Sequence, residues 1–283
     1  MRTYLSDYEF TLMQKYIMDQ CGIYISRDKA YLIESRLEEL IAQSRMKNFE
    51  DFYYQLHQSK FDNLLSEQVI DAITTQETLW FRDKELWRLF EEVLLPAYIR
   101  EFREGKRTSV RIWSAACSTG QEPYSIAMCI DHYLTSHEIG DIRLSDFEIV
   151  ATDISAKAVR FAQEGKYDNH TMSRGLESKF RYGYFIQDNT AWLVNESIKN
   201  AVRFRKFNLK SPFESLGRFD MIFCRYVTLY FHEDLKREVI HKMANILNAG
   251  GVFFLGNTEL FFVNKQLFEL VEANDVTYYR VKR

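Results

Sequence analysis

The sequence predicts an α/β fold: a mostly parallel sheet with helices on both faces, led by a small all-α domain and interrupted by a short antiparallel β insert. Three observations point there. From residue 110 onward, strand-like apolar runs alternate with amphipathic helical segments, a rhythm that specifies parallel strands joined by crossover helices. Residues 1–75 repeat their apolar positions at helical spacing only. Between residues 166 and 202 the rhythm breaks into short strand-like pieces separated by turn dipeptides. The expected division is a helical domain over 1–75, a linker and joining helix over 76–96, and the α/β domain over 97–283, with its insert at about 166–202.

At the start of the chain, Ser6-Asp-Tyr-Glu9 has the form of a capping box, and Phe10, Met13, Ile17 and Cys21 follow at helical spacing. Asp28 is placed to cap a second helix whose apolar stripe is Ile33, Leu37, Leu40 and Ile41. That helix region also carries Lys29, Arg36, Arg45 and Lys47. These cations suit docking onto an acidic partner helix. With Glu34, Glu38 and Glu39 interspersed, they equally suit a solvated face laced by i,i+4 pairs, and spacing alone leaves both open. Helical patterning continues through Phe49–Leu56 and Leu64–Ile73. Thr74–Asp83 is then a joint, followed by a helix in which Leu86, Leu89, Phe90, Val93 and Leu94 align ahead of Pro96. Two domains meeting at a joint supply two walls of one crevice. An ordinary hinge with Arg82 exposed is the bland alternative.

Val110–Trp113 reads as a buried strand, and a helix is expected over Pro123–Tyr133, with Pro123 suited to its first turn. Between them, Ser114 to Gly120 are all small, so a ligand can approach the backbone and meet the N–H groups at the helix start. A strand over Phe147–Thr152 and a helix over Ala156–Glu164 come next. In open parallel sheets ligands bind outside the carboxyl ends of the strands. Asp153 falls there, where a carboxylate can accept hydrogen bonds from both hydroxyls of a ribose; capping the next helix is its competing role, although Ser155 can do that instead. Tyr182–Ile186, Ala191–Val194 and Val202–Phe207 are expected to form the inserted meander. Phe219–Cys224 is a further strand that delivers Arg225 and Tyr226 to its end. Tyr230, one turn on, is by default a core tyrosine. A helix over Glu233–Leu247 and strands over Gly251–Leu255 and Val276–Val281 complete the chain.

Composition excludes several functions. With three prolines and 11 glycines in 283 residues, long disordered tracts are not expected. A net charge of −3 gives no global attraction to nucleic acid or to an anionic membrane, and no apolar run reaches the roughly 18 residues a membrane span needs. The four cysteines form no Cys-x-x-Cys pair and no signal peptide opens the sequence, so a reduced, cytoplasmic setting is expected. The six histidines are scattered, and no metal site is expected. The first strand is not followed by Gly-x-Gly-x-x-Gly, which argues against a nicotinamide dehydrogenase.

Four segments together identify a resemblance. Ser114-Ala-Ala-Cys-Ser-Thr-Gly-Gln-Glu-Pro-Tyr-Ser125 resembles the cofactor loop of the CheR family, the chemotaxis receptor methyltransferases. Thr74-Thr-Gln-Glu-Thr-Leu-Trp-Phe-Arg82, Ala151-Thr-Asp-Ile-Ser155 and Phe219-Asp-Met-Ile-Phe-Cys-Arg-Tyr-Val-Thr-Leu-Tyr-Phe231 are similar to the same family in the same order. The resemblance implies a Rossmann-like S-adenosylmethionine-dependent methyltransferase sheet that esterifies glutamate side chains of a chemoreceptor cytoplasmic domain and leaves S-adenosylhomocysteine. It implies a helical domain that sits over the cofactor and contacts the receptor, with Arg36 the first candidate for that contact. It also implies a β-subdomain whose edge, in some members, captures a receptor tail peptide. A monomer is expected.

By the same resemblance, Gln76, Thr78 and Arg82 lie against the cofactor, Arg82 near its methyl-bearing end, and Ala115 belongs to the cofactor turn. Glu122 contacts the methionine portion or holds Arg82, Asp153 holds the ribose, Asn208 and Leu209 flank the adenine, and Arg225 and Tyr226 complete the cofactor site. Arg82 and Tyr230 are the expected catalytic pair. Asn208-Leu-Lys-Ser-Pro-Phe213 lacks the first proline of the Asn-Pro-Pro-Tyr loop, which argues against nucleobase methylation. Three positions depart from the family pattern: Gln76 and Asn257 replace a usual asparagine and a usual histidine, and Tyr226 stands where asparagine commonly follows the arginine. The departures at Tyr226 and Asn257 motivate an alternative, a non-catalytic module that senses S-adenosylmethionine or its demethylated product.

Overall fold

The computed structural model describes residues 4–58, 63–259 and 266–282. Four helices, α1 Asp7–Cys21, α2 Ala30–Gln43, α3 Phe49–Gln58 and α4 Asn63–Ile73, enclose a core of their own in which Met13, Ile33, Leu37, Phe49 and Phe52 are wholly buried. The capping box forms: Glu9 N–H donates to Ser6 Oγ at 3.3 Å, and Ser6 N–H to the Glu9 carboxylate at 2.9 Å. The same carboxylate accepts the Phe49 N–H at 3.0 Å, so one acidic side chain fixes the start of α1 and of α3. Asp28 does not cap α2. It lies inside a tight turn, Arg27–Lys29, with its carboxylate engaged by Ser26, and α2 starts without a side-chain cap.

After the joint, α5 Lys84–Leu89 runs through a π turn, Phe90–Leu94, into α6 Leu95–Arg103, so the helical segment continues past Pro96. The widened turn explains this. Leu95 N–H reaches back to the Phe90 carbonyl, and the extra residue eases the clash that a proline ring makes with the carbonyl four residues earlier.

Among the described residues, a seven-stranded sheet is built from β1 Val110–Ala115, β2 Phe147–Asp153, β6 Val202–Lys206, β7 Phe219–Phe223, β8 Leu247–Phe254, β9 Phe268–Ala273 and β10 Val276–Val281, in the order β6-β2-β1-β7-β8-β10-β9. β6, β2, β1, β7 and β8 are mutually parallel, and β10 runs antiparallel to both of its neighbours. β7 is buried along its whole length, as a central parallel strand covered on both faces must be. Helices α7 Gln121–Ser136 and α8 Ala156–Glu164 make the first crossovers. From β1 the order departs in two directions, towards β2 on one side and β7 on the other. That reversal opens a crevice above the strand ends.

The insert differs from expectation in all but its middle strand. Val202–Phe207 does not join the meander: β6 is the parallel edge of the main sheet, with Ile149 opposite Val202 and Asp153 opposite Lys206. Its half-polar sequence Val-Arg-Phe-Arg-Lys suits either setting, because an edge strand is also half exposed. The small antiparallel sheet is instead β3 Lys166–Asp168, β5 Ala191–Val194 and β4 Phe185–Asp188. Tyr182 to Tyr184 are helical, closing the segment Ser178–Tyr184. Strand β9, which the sequence reading missed, pairs with β10 across the tight turn at Asn274 and Asp275. No described helix is long and apolar enough to cross a membrane.

Candidate active site

Turns from β1, β2 and β7 meet the joint and the end of α1 around an open crevice with a cavity of about 250 Å³. The backbone is bent sharply on every side. Ala116 (φ 58°), Ser118 (φ 50°) and Tyr226 (φ 60°) sit beyond the strand ends, and Phe81 (φ 45°) and Asp83 (φ 63°) lie in the joint, all in the left-handed region that side chains avoid. Strain of this kind concentrates where a ligand site must be shaped.

The floor is organised by Asp153, which is only 6% exposed. Its carboxylate accepts Ser118 N–H at 2.8 Å and Ser155 N–H at 2.9 Å, so it fixes the small-residue turn of β1 from the end of β2. Ser155, not Asp153, caps α8, accepting Ala158 N–H at 3.0 Å. Burial pushes the Asp153 carboxyl above the ordinary aspartate value, although N–H groups of Ser155, Ser118 and Ile154 pull against it. Ser155 Oγ donates to Asp71 of α4 at 2.6 Å, and Ser118 Oγ to Gln76 Oε1 at 2.8 Å, so the helical domain and the joint are both stitched to the floor. Gly120 opens α7 at φ 95°, where an added Cβ would lie 2.9 Å from Ala162 Cβ; only glycine allows this turn. Ala115 is not part of the lining. As the last residue of β1 it is 1% exposed, packed in the core behind the turn, and Ala116, Cys117 and Ser118 form the wall instead.

One wall is an ion cluster. Glu122, in the first turn of α7, accepts Ser114 Oγ–H at 2.7 Å and the Arg225 guanidinium at 2.8 Å. It therefore holds Arg225 and not Arg82, because Arg225 leaves β7 directly opposite it. Arg225 also donates to Asp83 at 2.5 Å and to the Arg82 carbonyl at 2.7 Å, with its side chain 2% exposed. Its Nε has no hydrogen-bond partner among the described residues. Arg82 is different. Its guanidinium lies over the Tyr226 ring at 3.3 Å and makes no ion pair or hydrogen bond among the described residues. Tyr226 Oη donates to Asp83 at 2.7 Å, and burial together with that carboxylate raises the phenol pKa. The tyrosine that departs from the family pattern is thus the platform for Arg82.

The roof comes from the helical domain. Tyr24 N–H donates to the Tyr230 carbonyl at 2.8 Å, and Ile23 bridges Phe231. Asn208 Nδ2 donates to the Gln20 carbonyl at 2.7 Å, and Lys210 Nζ to the carbonyls of Met18 and Asp19 at 2.9 and 2.7 Å, capping the C-terminus of α1 with a cation. Gly22 ends that helix at φ 79°, where an added Cβ would stand 2.2 Å from Leu235 Cδ2. Thr78, Leu209 and Tyr230 line the same cavity. Arg36 lies at its edge, bonded to the Ile73 carbonyl and, at 3.1 Å, to Thr75 Oγ1, so it holds the joint and is not a free surface cation.

Two acidic residues of the site escaped the sequence reading. Asp83 directly follows the joint motif, and its left-handed backbone turns it back onto Arg225 and Tyr226. Glu259 is buried behind Tyr226. The one available signal for Glu259 was a carboxylate closing the short polar run after the β8 segment.

Comparison with known proteins agrees with this geometry. The family model for the CheR methyltransferase all-alpha domain matches residues 8–74, and that for the CheR methyltransferase SAM binding domain matches residues 76–277. Chemotaxis protein methyltransferase 1 of Pseudomonas aeruginosa is 36% identical over 275 residues, covering 97% of this chain and 98% of that one. Chemotaxis protein methyltransferase 1 of Vibrio cholerae is 37% identical over 279 residues, with 98% of each chain covered. The site fits S-adenosylmethionine on its own chemistry. Glu122 and Asp153 line the cavity with two carboxylates, suited to a methionine ammonium and to ribose hydroxyls, and the buried Arg225 Nε–H stands unpaired among the described residues in the wall between them. The chain belongs to the CheR family of chemotaxis protein methyltransferases, and its cofactor is S-adenosylmethionine.

Proposed function

We propose that this methyltransferase esterifies glutamate side chains on chemoreceptor cytoplasmic helices, yielding glutamate methyl esters and S-adenosylhomocysteine, and that it does so as a cytoplasmic monomer. The observation that carries the reading is Arg82: a planar cation held flat in the crevice with no described carboxylate to neutralise it. Its fork suits an incoming carboxylate.

When bound, the cofactor supplies an electrophilic methyl group on a sulfonium. A glutamate acceptor has a reference pKa of about 4.3 and arrives ionised, so the protein need not provide a base. What remains is alignment and exclusion of water. Arg82 orients the acceptor carboxylate and the Tyr230 hydroxyl fixes it. Asp153 receives the ribose hydroxyls, Asn208 and Leu209 flank the adenine, and Gln76 and Thr78 hold the cofactor from the joint side. Tyr226 backs Arg82, and Glu122 with Arg225 faces the methionine portion. The roof made by Tyr24 and Tyr230 keeps the crevice dry. We also propose the division into 1–75, 76–96 and 97–283, with the joint closing the crevice just after the first boundary. The β4 edge of the small sheet, unpaired among the described residues, suits strand addition by a receptor tail.

The test is incubation of the protein with methyl-labelled S-adenosylmethionine and the cytoplasmic fragment of its cognate receptor. Base-labile label on receptor glutamates is expected. Absence of label from a protein that binds S-adenosylhomocysteine in a calorimeter would overturn the assignment and leave a binding module.

A further inference from the structure

Glu259 is 5% exposed and has no cation against it among the described residues, yet its carboxylate is fully satisfied. One oxygen accepts Thr228 Oγ–H at 2.7 Å and Leu229 N–H at 3.2 Å. The other accepts Gly256 N–H at 2.9 Å and the N–H of Tyr226. Two of these backbone donors and the hydroxyl come from the single loop, residues 225–230, that follows β7. A buried charge without a counter-ion is costly, and four convergent donors are what make it tolerable. The loop is therefore wrapped on the carboxylate. Because each oxygen faces two donors, a carboxamide of the same shape must turn its NH₂ group against at least one backbone N–H.

The wrapped loop carries two residues of the crevice. Tyr226, held at φ 60° with its N–H on Glu259, supports the Arg82 guanidinium and bonds Asp83. Tyr230 leaves the same loop and is fastened from outside by Tyr24. Gly256 completes the fit, since a Cβ there would lie 2.9 Å from both the Tyr226 ring and the Glu259 carboxylate. Asp153 and its amide donors belong to other turns and do not touch this loop.

We propose that Glu259 is a positioning residue for the acceptor half of the active site: through the N–H of Tyr226 and the Thr228–Leu229 turn it sets where Arg82 and Tyr230 meet the incoming side chain. The inference rests on the glutamate-methylation reading for its kinetic consequence, whereas its geometric consequence stands without it.

Two variants test it, Glu259→Gln and Thr228→Val, each checked for a native-like melting transition. Methyl transfer to the receptor fragment, affinity for S-adenosylhomocysteine and the NMR resonance of the Arg82 Nε–H, shielded by the Tyr226 ring, are measured together. In Glu259→Gln, kcat is expected to fall about 100-fold, as for a misplacement near 1 Å, while cofactor-product affinity falls less than about tenfold and the Arg82 resonance moves downfield. Thr228→Val should show the same pattern at about tenfold in kcat, and it decides the matter if the glutamine variant does not fold. Equal losses in kcat and product affinity, or an Arg82 resonance that stays in place, would overturn the proposal. A resonance that moves in a protein whose parent does not label the receptor would sink the glutamate reading and leave the positioning role standing.

Discussion

Arg225 and Arg82 reach the same crevice from different elements and are treated in opposite ways. Arg225 is sealed at the end of β7 between Glu122 and Asp83. Arg82 rests on an aromatic ring with no described carboxylate partner. The difference separates a half of the site built to hold its shape from a half left unfinished until something arrives. A buried guanidinium is tolerated only with its charge answered internally, and one left unanswered beside a cavity is available for recognition.

Replacing Arg225 probes the first half and should have the largest effect. In Arg225→Met the apolar stem keeps its volume, but two carboxylates are left facing each other without their cation. Breaking such a buried pair costs about 3–5 kcal/mol, to be read from urea unfolding. A loss under about 1 kcal/mol, the range of exposed pairs, would show that the cluster is solvated and that the contrast with Arg82 is false.

Arg82→Ala probes the second half. Turnover should fall about 100-fold, equivalent to about 2.7 kcal/mol at the transition state. Fold stability should fall by no more than about 1 kcal/mol, the worth of an exposed cation–π contact. Comparable losses in turnover and in affinity for S-adenosylhomocysteine would reassign Arg82 to the cofactor half.

The two halves also differ in how far they could be read from sequence. The small residues from Ser114 to Gly120 and the aspartate closing β2 were legible because their roles follow from local backbone: a strand, a tight turn, a helix start. The partner of Glu122 was not, since Arg225 lies 103 positions away and only the order of β1 and β7 in the sheet makes them neighbours. Asp83 was hidden for a different reason: its direction depends on a left-handed backbone at a non-glycine residue, which no residue type announces. In the fold, β6 was misassigned because an edge strand and a meander strand share one half-polar pattern. Placing it in the main sheet takes the long-range pairing with β2.

Asp153 gives a smaller test that is specific to the cofactor half. Its carboxylate is engaged by Ser118 and Ser155 yet lines the crevice, and Asp153→Asn removes the charge that would accept from ribose hydroxyls and turns its NH₂ group against the N–H of one of those two serines. Affinity for S-adenosylhomocysteine should fall by about 1.5–3 kcal/mol, the worth of hydrogen bonds to a charged group, with receptor affinity unaffected. The pH dependence fixes the sign independently. Burial raises the folded-state pKa above the unfolded value near 3.9, so the group's contribution to stability is fully present below the unfolded value and is lost as pH rises through the folded one. Ligand binding runs the other way, because it needs the ionised form: affinity should weaken on acidification while pH is still above 3.9, and strengthen to a plateau on the alkaline side. In Asp153→Asn that slope should vanish. A wild-type affinity flat down to pH 4 would show that the carboxylate is not what grips the cofactor, and the floor would then be only a scaffold for the turn above it.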